Sequence, residues 1–167
     1  LPISVAVVWC AYPGYHPKFG SWNYIKDFYP GDDVVDWWGM DLFSPTDLAP
    51  RRGKANTATE EFLKMARKAN KPVMIGEATP RGVGAQSAKA WQDWFAPFFE
   101  MIHAHPHIKA YHYINWDWAG TRWPDWGDAR LETAPAAVRE RYLAQIGSGL
   151  FLHAVPQGLP AEMRTSR

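Results

Sequence analysis

The sequence predicts an α/β fold of the (β/α)8 TIM-barrel type, present as about four βα units, and three observations carry that expectation. Four short apolar runs bounded by turn residues, at 3–9, 34–43, 72–76 and 108–116, have the length and composition of strands. They are near-continuously apolar, with little in-and-out alternation, as expected of strands covered on both faces in a parallel sheet. Their starts recur at the spacing of successive βα units with helical periodicity between them, and such crossovers give parallel sheets almost without exception. A closed eight-unit barrel takes ~250 residues, so a chain of 167 residues supplies part of one.

The first run ends at Trp9. The connection after it, 11–33, holds Pro13, Gly14, Pro17, Gly20, Pro30 and Gly31, leaving room for at most a short helix around Trp22 to Phe28. The second run closes with Trp37, Trp38, Gly39, Met40, Asp41 and Phe43. Thr57-Ala-Thr-Glu60 resembles a capping box ahead of Phe62, Leu63, Met65 and Ala66, and Asn70 with Pro72 ends that helix. The third run leads into Glu77. Ser87 then opens an aromatic helix through Trp91, Trp94, Phe95, Phe98, Phe99 and Ile102, which Pro97 should bend or interrupt. After the fourth run a last helix is capped by Thr133, carries Pro135 in its first turn, and runs to about Ile146 before a Gly-Ser-Gly break. This divides the chain into a partial barrel domain, 1–152, and a C-terminal tail, 153–167.

Composition narrows the function classes. Eighteen basic and 17 acidic residues give a formal charge of +1 with no run of like charges, which argues against nucleic acid or an anionic membrane as partner. No apolar stretch approaches the ~20 residues of a membrane span. Cys10 is the sole cysteine, so no intrachain disulfide is expected, and its apolar surroundings suggest packing. Aromatic residues make up 15% of the chain, and many of its 10 Trp fall where strands should end, which suits a sugar-binding cleft. The chain opens almost directly in a strand, without an initiator Met, so a preceding segment is expected.

In a parallel barrel the functional side chains sit at the carboxyl ends of strands. There the third strand presents Glu77 beside Gly76. The second presents Asp41 among aromatic residues, and the fourth presents Asn115, Trp116, Asp117 and Trp118. A lone Glu at a strand end is more often solvated or ion-paired than catalytic, but three adjacent strands bring carboxylates and indole rings to one rim. In the loop 123–130, Asp125, Asp128 and Arg130 would hold a sugar hydroxyl or, as the simpler role, lock the loop. His103, His105 and His107 have no metal-ligand pattern, since Pro106 interrupts the helix between them. His112, inside a strand, reads as a hydrogen-bonded core residue. No metal or other cofactor is expected.

The wording of these segments resembles strands five to eight of clan A glycoside hydrolases, most closely the family 26 mannanase-like enzymes. The segments are Val5 to Trp9, the stretch 29–41 (Tyr-Pro-Gly-Asp-Asp-Val-Val-Asp-Trp-Trp-Gly-Met-Asp), Lys71 to Glu77, and Ile108 to Trp116. The resemblance implies a retaining hydrolase of O-glycosyl bonds in a β-linked, mannan-like polysaccharide or oligosaccharide, with Glu77 as nucleophile. It also implies Trp116 as the platform under the reacting sugar, with Trp118 in that role if the register slips by two. Trp9 and Asp41 would line the same cleft, although Trp9 is equally well explained as a core aromatic and Asp41 as a structural acceptor. The family's acid/base Glu ends strand four, so it is expected before Leu1 with the N-terminal half of the barrel, and these residues alone should be inactive. A secreted or periplasmic location is expected from the same resemblance. One departure stands out: the family often places a Tyr just past the Asp of strand six, where this chain has Phe43.

Two other readings fit the same residues. One is a non-catalytic carbohydrate-binding barrel, with an aromatic rim but no acid partner. The other is a half that folds only within a larger chain or paired assembly, since an isolated half-barrel leaves strand edges unpaired.

Overall fold

A computed structural model describes residues 5–13, 27–48 and 58–153. Four strands, β1 (Val8–Ala11), β2 (Trp37–Leu42), β3 (Val73–Ala78) and β4 (Ile108–Tyr113), form one sheet in the order β1-β2-β3-β4, every neighbour parallel. The expected α/β class with parallel strands is thus the observed one. Strands laid down in sequential order follow the course of a barrel wall, whereas a doubly wound sheet reverses direction at a switch point. Within the described residues, β1 and β4 each pair on one side only.

Helices cover one face of the sheet. The short α1 (Pro45–Leu48) follows β2, and α2 (Ala58–Lys68) buries Thr59, Phe62, Leu63 and Ala66, spaced i, i+3, i+4, i+7 as a core-facing stripe requires. Asn70, with φ of 54°, takes the left-handed position after α2, and the Lys71 N–H returns to the Ala66 carbonyl at 2.9 Å. The Thr57 cap, residues 22–26 of the short first helix and residues 154–167 of the tail lie outside the described residues.

The aromatic helix is broken ahead of Pro97. A π-helical turn, Trp91–Phe95, widens the spiral so that the Ala96 N–H reaches Trp91, and α3 (Ala96–Ala104) starts there. Pro97 thus falls in the opening turn of α3, where its missing N–H costs little. Trp94, Phe95, Phe98 and Phe99 are buried and pack against Tyr111 and Tyr113 of β4 and Tyr142 of α4 (Ala136–Ile146). Burying each such ring contributes roughly 1.5–3 kcal/mol, so this aromatic layer dominates the core. Thr133 does not cap α4. Its hydroxyl accepts from Gln86 at 3.0 Å and donates to the Arg130 carbonyl at 3.4 Å, while Pro135 occupies the cap position with no side-chain cap bond.

Candidate active site

Alternation along the strands divides the sheet into two faces. Trp38, Met40, Leu42, Val73, Ile75 and Ala78 are buried on the helix side. Cys10, Glu77 and His112 are exposed and Asp41 is half-buried on the other, open side. Ile75 and Ala78 lie three residues apart, yet both are fully buried, which a regular two-residue period forbids. The register shows how this is resolved: Met40 pairs with Ile75 but the next residue, Asp41, pairs with Glu77, and Ile75 and Ala78 pair with Tyr111 and Tyr113. A β-bulge therefore absorbs one residue at Gly76 and Glu77. Strict alternation from Ile75 would turn Glu77 onto the helices; the bulge returns it to the open face beside Asp41.

Asp41 is the hub of that face. Its carboxylate accepts the Cys10 thiol at 3.3 Å and the backbone N–H of Glu77. Burial raises its pKa, and the Glu77 charge adds to the rise against the lowering effect of the two hydrogen bonds. The Cys10 thiol is pushed up to about 12, first by burial of its sulfur and then by the Asp41 charge, so it stays protonated and donates. Cys10 as a residue retains solvent access; its sulfur is the shielded part, lying against the backbones of β2 and β3. That close approach requires the two glycines. A Cβ on Gly39 would come within 2.8 Å of the Cys10 Cβ and Sγ, and one on Gly76 within 2.9 Å of Sγ and 3.2 Å of Asp41 Oδ1.

Beyond β4 the chain makes a locked rim. Arg130 grips Asp128 with a fork of two bonds, 3.0 and 2.8 Å, and reaches Asp117 at 3.2 Å. Asn115 joins Glu132 at 2.7 Å and accepts the Leu131 N–H at 2.7 Å. These bonds hold the carboxyls of Asp128 and Glu132 below their ordinary range, the first through Arg130 and the second through Asn115. Loop-locking is thus the observed role of Asp128 and Arg130. The rim presents Trp116 at 57% exposure and Trp123 at 40%.

The sequence-predicted site residues separate into two groups. Glu77 and Asp41 come together at the β2–β3 strand ends, and Trp116 stands exposed just past β4. Trp118 points back instead: its indole N–H donates to Thr79 at 3.2 Å and its ring packs on Trp126 at 5.0 Å and Trp123 at 5.9 Å. Trp9 lies on the helix side, 5.3 Å from Trp38 and stacked at 6.1 Å on Phe62, away from the Asp41 face. Its neighbour Cys10 takes the open face, because successive side chains point to opposite sides of a strand. His112 is exposed on the Glu77 side of β4, in place of the buried position expected for it. Phe43, where a Tyr was expected, packs on Trp126 and Tyr12. The Tyr12 hydroxyl donates to Asp47 at 3.1 Å, and Asp47 caps the turn into α1.

Among the described residues no group of three or more His, Cys, Asp or Glu is placed to hold a metal ion. His107 instead bonds the Leu63 carbonyl at 3.0 Å, and burial lowers the pKa of both His105 and His107. Among the same residues no helix is long and apolar enough to cross a membrane.

No family model matches the chain. It is similar to a β-1,3-xylanase of an Alcaligenes species, at 33% identity over 66% of this chain and 28% of the relative. It is also similar to a β-1,3-xylanase of a Vibrio species, at 31% identity over 89% of this chain and 36% of the relative. The chain thus spans about a third of the length of these curated relatives. Among solved structures it is similar to a family 26 glycoside hydrolase of a Muricauda species, with a TM-score of 0.47 and 21% identity over 87% of this chain and 35% of that one. It is also similar to a modular family 26 endo-β-1,4-mannanase of Cellulomonas fimi, with a TM-score of 0.48 and 17% identity over 87% of this chain and 31% of that one.

Proposed function

We propose that this chain carries the nucleophile strand of a retaining glycoside hydrolase acting on a β-linked polysaccharide, with Glu77 as the nucleophile. The observation that supports this most directly is the bulge that turns an exposed carboxylate to the open face beside Asp41, at the carboxyl end of a parallel strand. Among β-linked substrates, β-1,3-linked xylan is favoured over the mannan that the sequence wording suggests, because the curated relatives above 30% identity are both β-1,3-xylanases. In this reading residues 1–152 form the second half of a barrel, and the N-terminal half precedes them.

The reaction follows from two carboxyl groups about 5 Å apart. A Glu77 carboxylate oxygen attacks the anomeric carbon, the bond from that carbon to the bridging oxygen breaks, and the bridging oxygen takes a proton from the acid group. The product is a glycosyl ester on Glu77. Water, deprotonated by the same acid/base group, then attacks the anomeric carbon and releases Glu77. The acid/base residue is assigned, by the family resemblance, to a strand ahead of Leu1. Trp116 offers its indole face to the apolar side of the sugar ring, and Asp41 fixes the strand end that carries the nucleophile.

The test is mechanism-based labelling of the full natural chain. A 2-fluoro β-1,3-xylobioside with a good leaving group should leave one sugar adduct on the peptide containing Glu77. An adduct on another carboxylate overturns the assignment. Tight binding of xylo-oligosaccharide with neither adduct nor turnover would favour the non-catalytic carbohydrate-binding barrel instead.

A further inference from the structure

We infer that Cys10 is a positioning residue: its thiol hydrogen bond fixes the Asp41 carboxylate, which in turn holds the backbone of Glu77 in the bulge. The inference rests on Glu77 being the nucleophile, and it answers a question raised by Phe43. With no hydroxyl at position 43, the aim of Glu77 has to be set by something else.

The geometry supplies that substitute from a different strand. The Cys10 side chain leaves β1 and crosses Gly39 of β2, and its sulfur lies 2.9 Å from where a Cβ on Gly76 of β3 would be. Asp41 Oδ1 lies against the same glycine, 3.2 Å from that position, and 3.3 Å from the sulfur. Sulfur, carboxylate oxygen and bulge backbone therefore meet at one point, which the sulfur reaches because Gly39 and Gly76 carry no Cβ. Cys10 serves here by packing and by donating, since burial and then the neighbouring carboxylates keep its proton in place.

Asp41 needs the donors it has. It is half-buried and stands next to the like charge of Glu77. Among the described residues no Lys, Arg or His is ion-paired with it. The titratable groups acting on it are Cys10 of β1 and Glu77 of β3, with His112 of β4 on the same open face one strand further on. The Cys10 S–H and the Glu77 N–H are thus the two bonds that favour its ionised form. Losing the S–H raises the pKa of Asp41, so the ionised acceptor of the Glu77 N–H is lost at a higher pH than in the native protein.

The experiment compares Cys10→Ala, Cys10→Ser and Glu77→Ala in the full natural chain. A thiol is a weak donor, so Cys10→Ala is expected to lower kcat about 3- to 10-fold with little change in KM. The acid limb of its kcat/KM profile should move to higher pH, and Cys10→Ser should recover most of both effects because it restores a donor. Wild-type behaviour of Cys10→Ala, or equal impairment of the Ala and Ser variants, overturns the inference. The Glu77→Ala control separates the two levels: turnover that survives it removes the nucleophile reading itself, whereas its loss beside an unaffected Cys10→Ala removes only the role given to Cys10. Should the Ala variant fail to fold, the wild-type infrared S–H band, taken by difference against Cys10→Ser, decides. It must lie at the lowered frequency of a hydrogen-bonded thiol, and a free-thiol position rejects the contact.

Discussion

Asp41 stands opposite Glu77 in the ladder between β2 and β3, although the residues just before the break, Met40 and Ile75, are also opposite each other. The ladder skips Gly76. One extra residue in β3 therefore decides whether a carboxylate meets solvent or the Phe95–Phe98 layer, and the Asp41 acceptor on the Glu77 N–H fastens the choice.

Because Glu77 is exposed and its aim is set through its backbone, chemistry and stability should separate when its side chain changes. Glu77→Gln is expected to reduce turnover of β-1,3-xylan on the order of 1,000-fold or more while shifting unfolding free energy by no more than about 0.5 kcal/mol. Paired kinetics and urea melts check this, and turnover near the native rate would remove the nucleophile assignment.

The two glycines under Cys10 should respond differently to its truncation. Gly39→Ala sets a Cβ 2.8 Å from both the Cβ and the Sγ of Cys10 and 2.9 Å from its Cα; Cys10→Ala removes the Sγ clash and retains the other two. Gly76→Ala meets the sulfur, which Cys10→Ala removes. Each glycine substitution should cost about 1–3 kcal/mol alone. A double-mutant cycle should show about 1 kcal/mol of relief for the Gly76 pair and less for the Gly39 pair, where the clashes with the Cys10 Cβ and Cα persist. Equal coupling in both cycles would contradict the placement of the sulfur.

Thr79 links the end of β3 to the rim. Its buried hydroxyl donates to the Ile114 carbonyl at 3.4 Å and accepts from the Trp118 indole at 3.2 Å. Thr79→Val keeps the volume and strands both partners, at a cost of about 1–3 kcal/mol. Faster proteolysis within 115–130 and a shift in tryptophan emission are expected; an unchanged loop would mean that the aromatic packing of Trp118 suffices.

Acid should open the rim. Asp128 and Glu132 have folded-state pKa values below their ordinary ones, owing to Arg130 and Asn115 respectively. A depressed carboxylate pKa contributes stability that is complete above the unfolded value, about pH 4, and disappears as pH falls through the folded value. Hydrogen exchange of residues 115–132 should therefore accelerate from about pH 4 downward beyond its intrinsic trend. Asn115→Ala should leave less of that protection to lose and complete the loss at a higher pH. Protection that persists to full protonation would show that these carboxylate bonds hold nothing.

The fold was legible in the sequence to the extent that burial dictates composition. Each of the four apolar runs overlaps a strand, although β1 starts only at Val8, near the end of the run at 3–9, and the stripe at Phe62, Leu63 and Ala66 became α2. The near-uniform apolar composition hid the phase of each strand, of which the structure covers one face and leaves the other open. A run with no alternation does not say which side chains face the helices, so cleft and core stay equally open to Trp9 and Cys10 reads as packed, whereas the structure turns Trp9 to the helices and Cys10 to the open face. His112 was misplaced for the same reason. The bulge left no mark at all, since it depends on how β3 sits against β2 and β4 and carries no turn residue beyond Gly76. The place of Glu77 at the carboxyl end of β3 was nonetheless legible, because that position does not depend on phase.

The sheet order has a practical consequence at its two outer strands. β1 offers Val8 at 38% exposure, preceded by Val5 at 76% and Val7 at 50%, along an outer edge that no described strand pairs with, whereas the Val7 main chain is bonded inward to Asp36 and Trp37. Such a margin is a template for any extended chain that reaches it. Prepared without a neighbour across that margin, this material should self-associate as its concentration rises. Added salt should not disperse it, because valines and main-chain groups, rather than ion pairs, would be the adhesive.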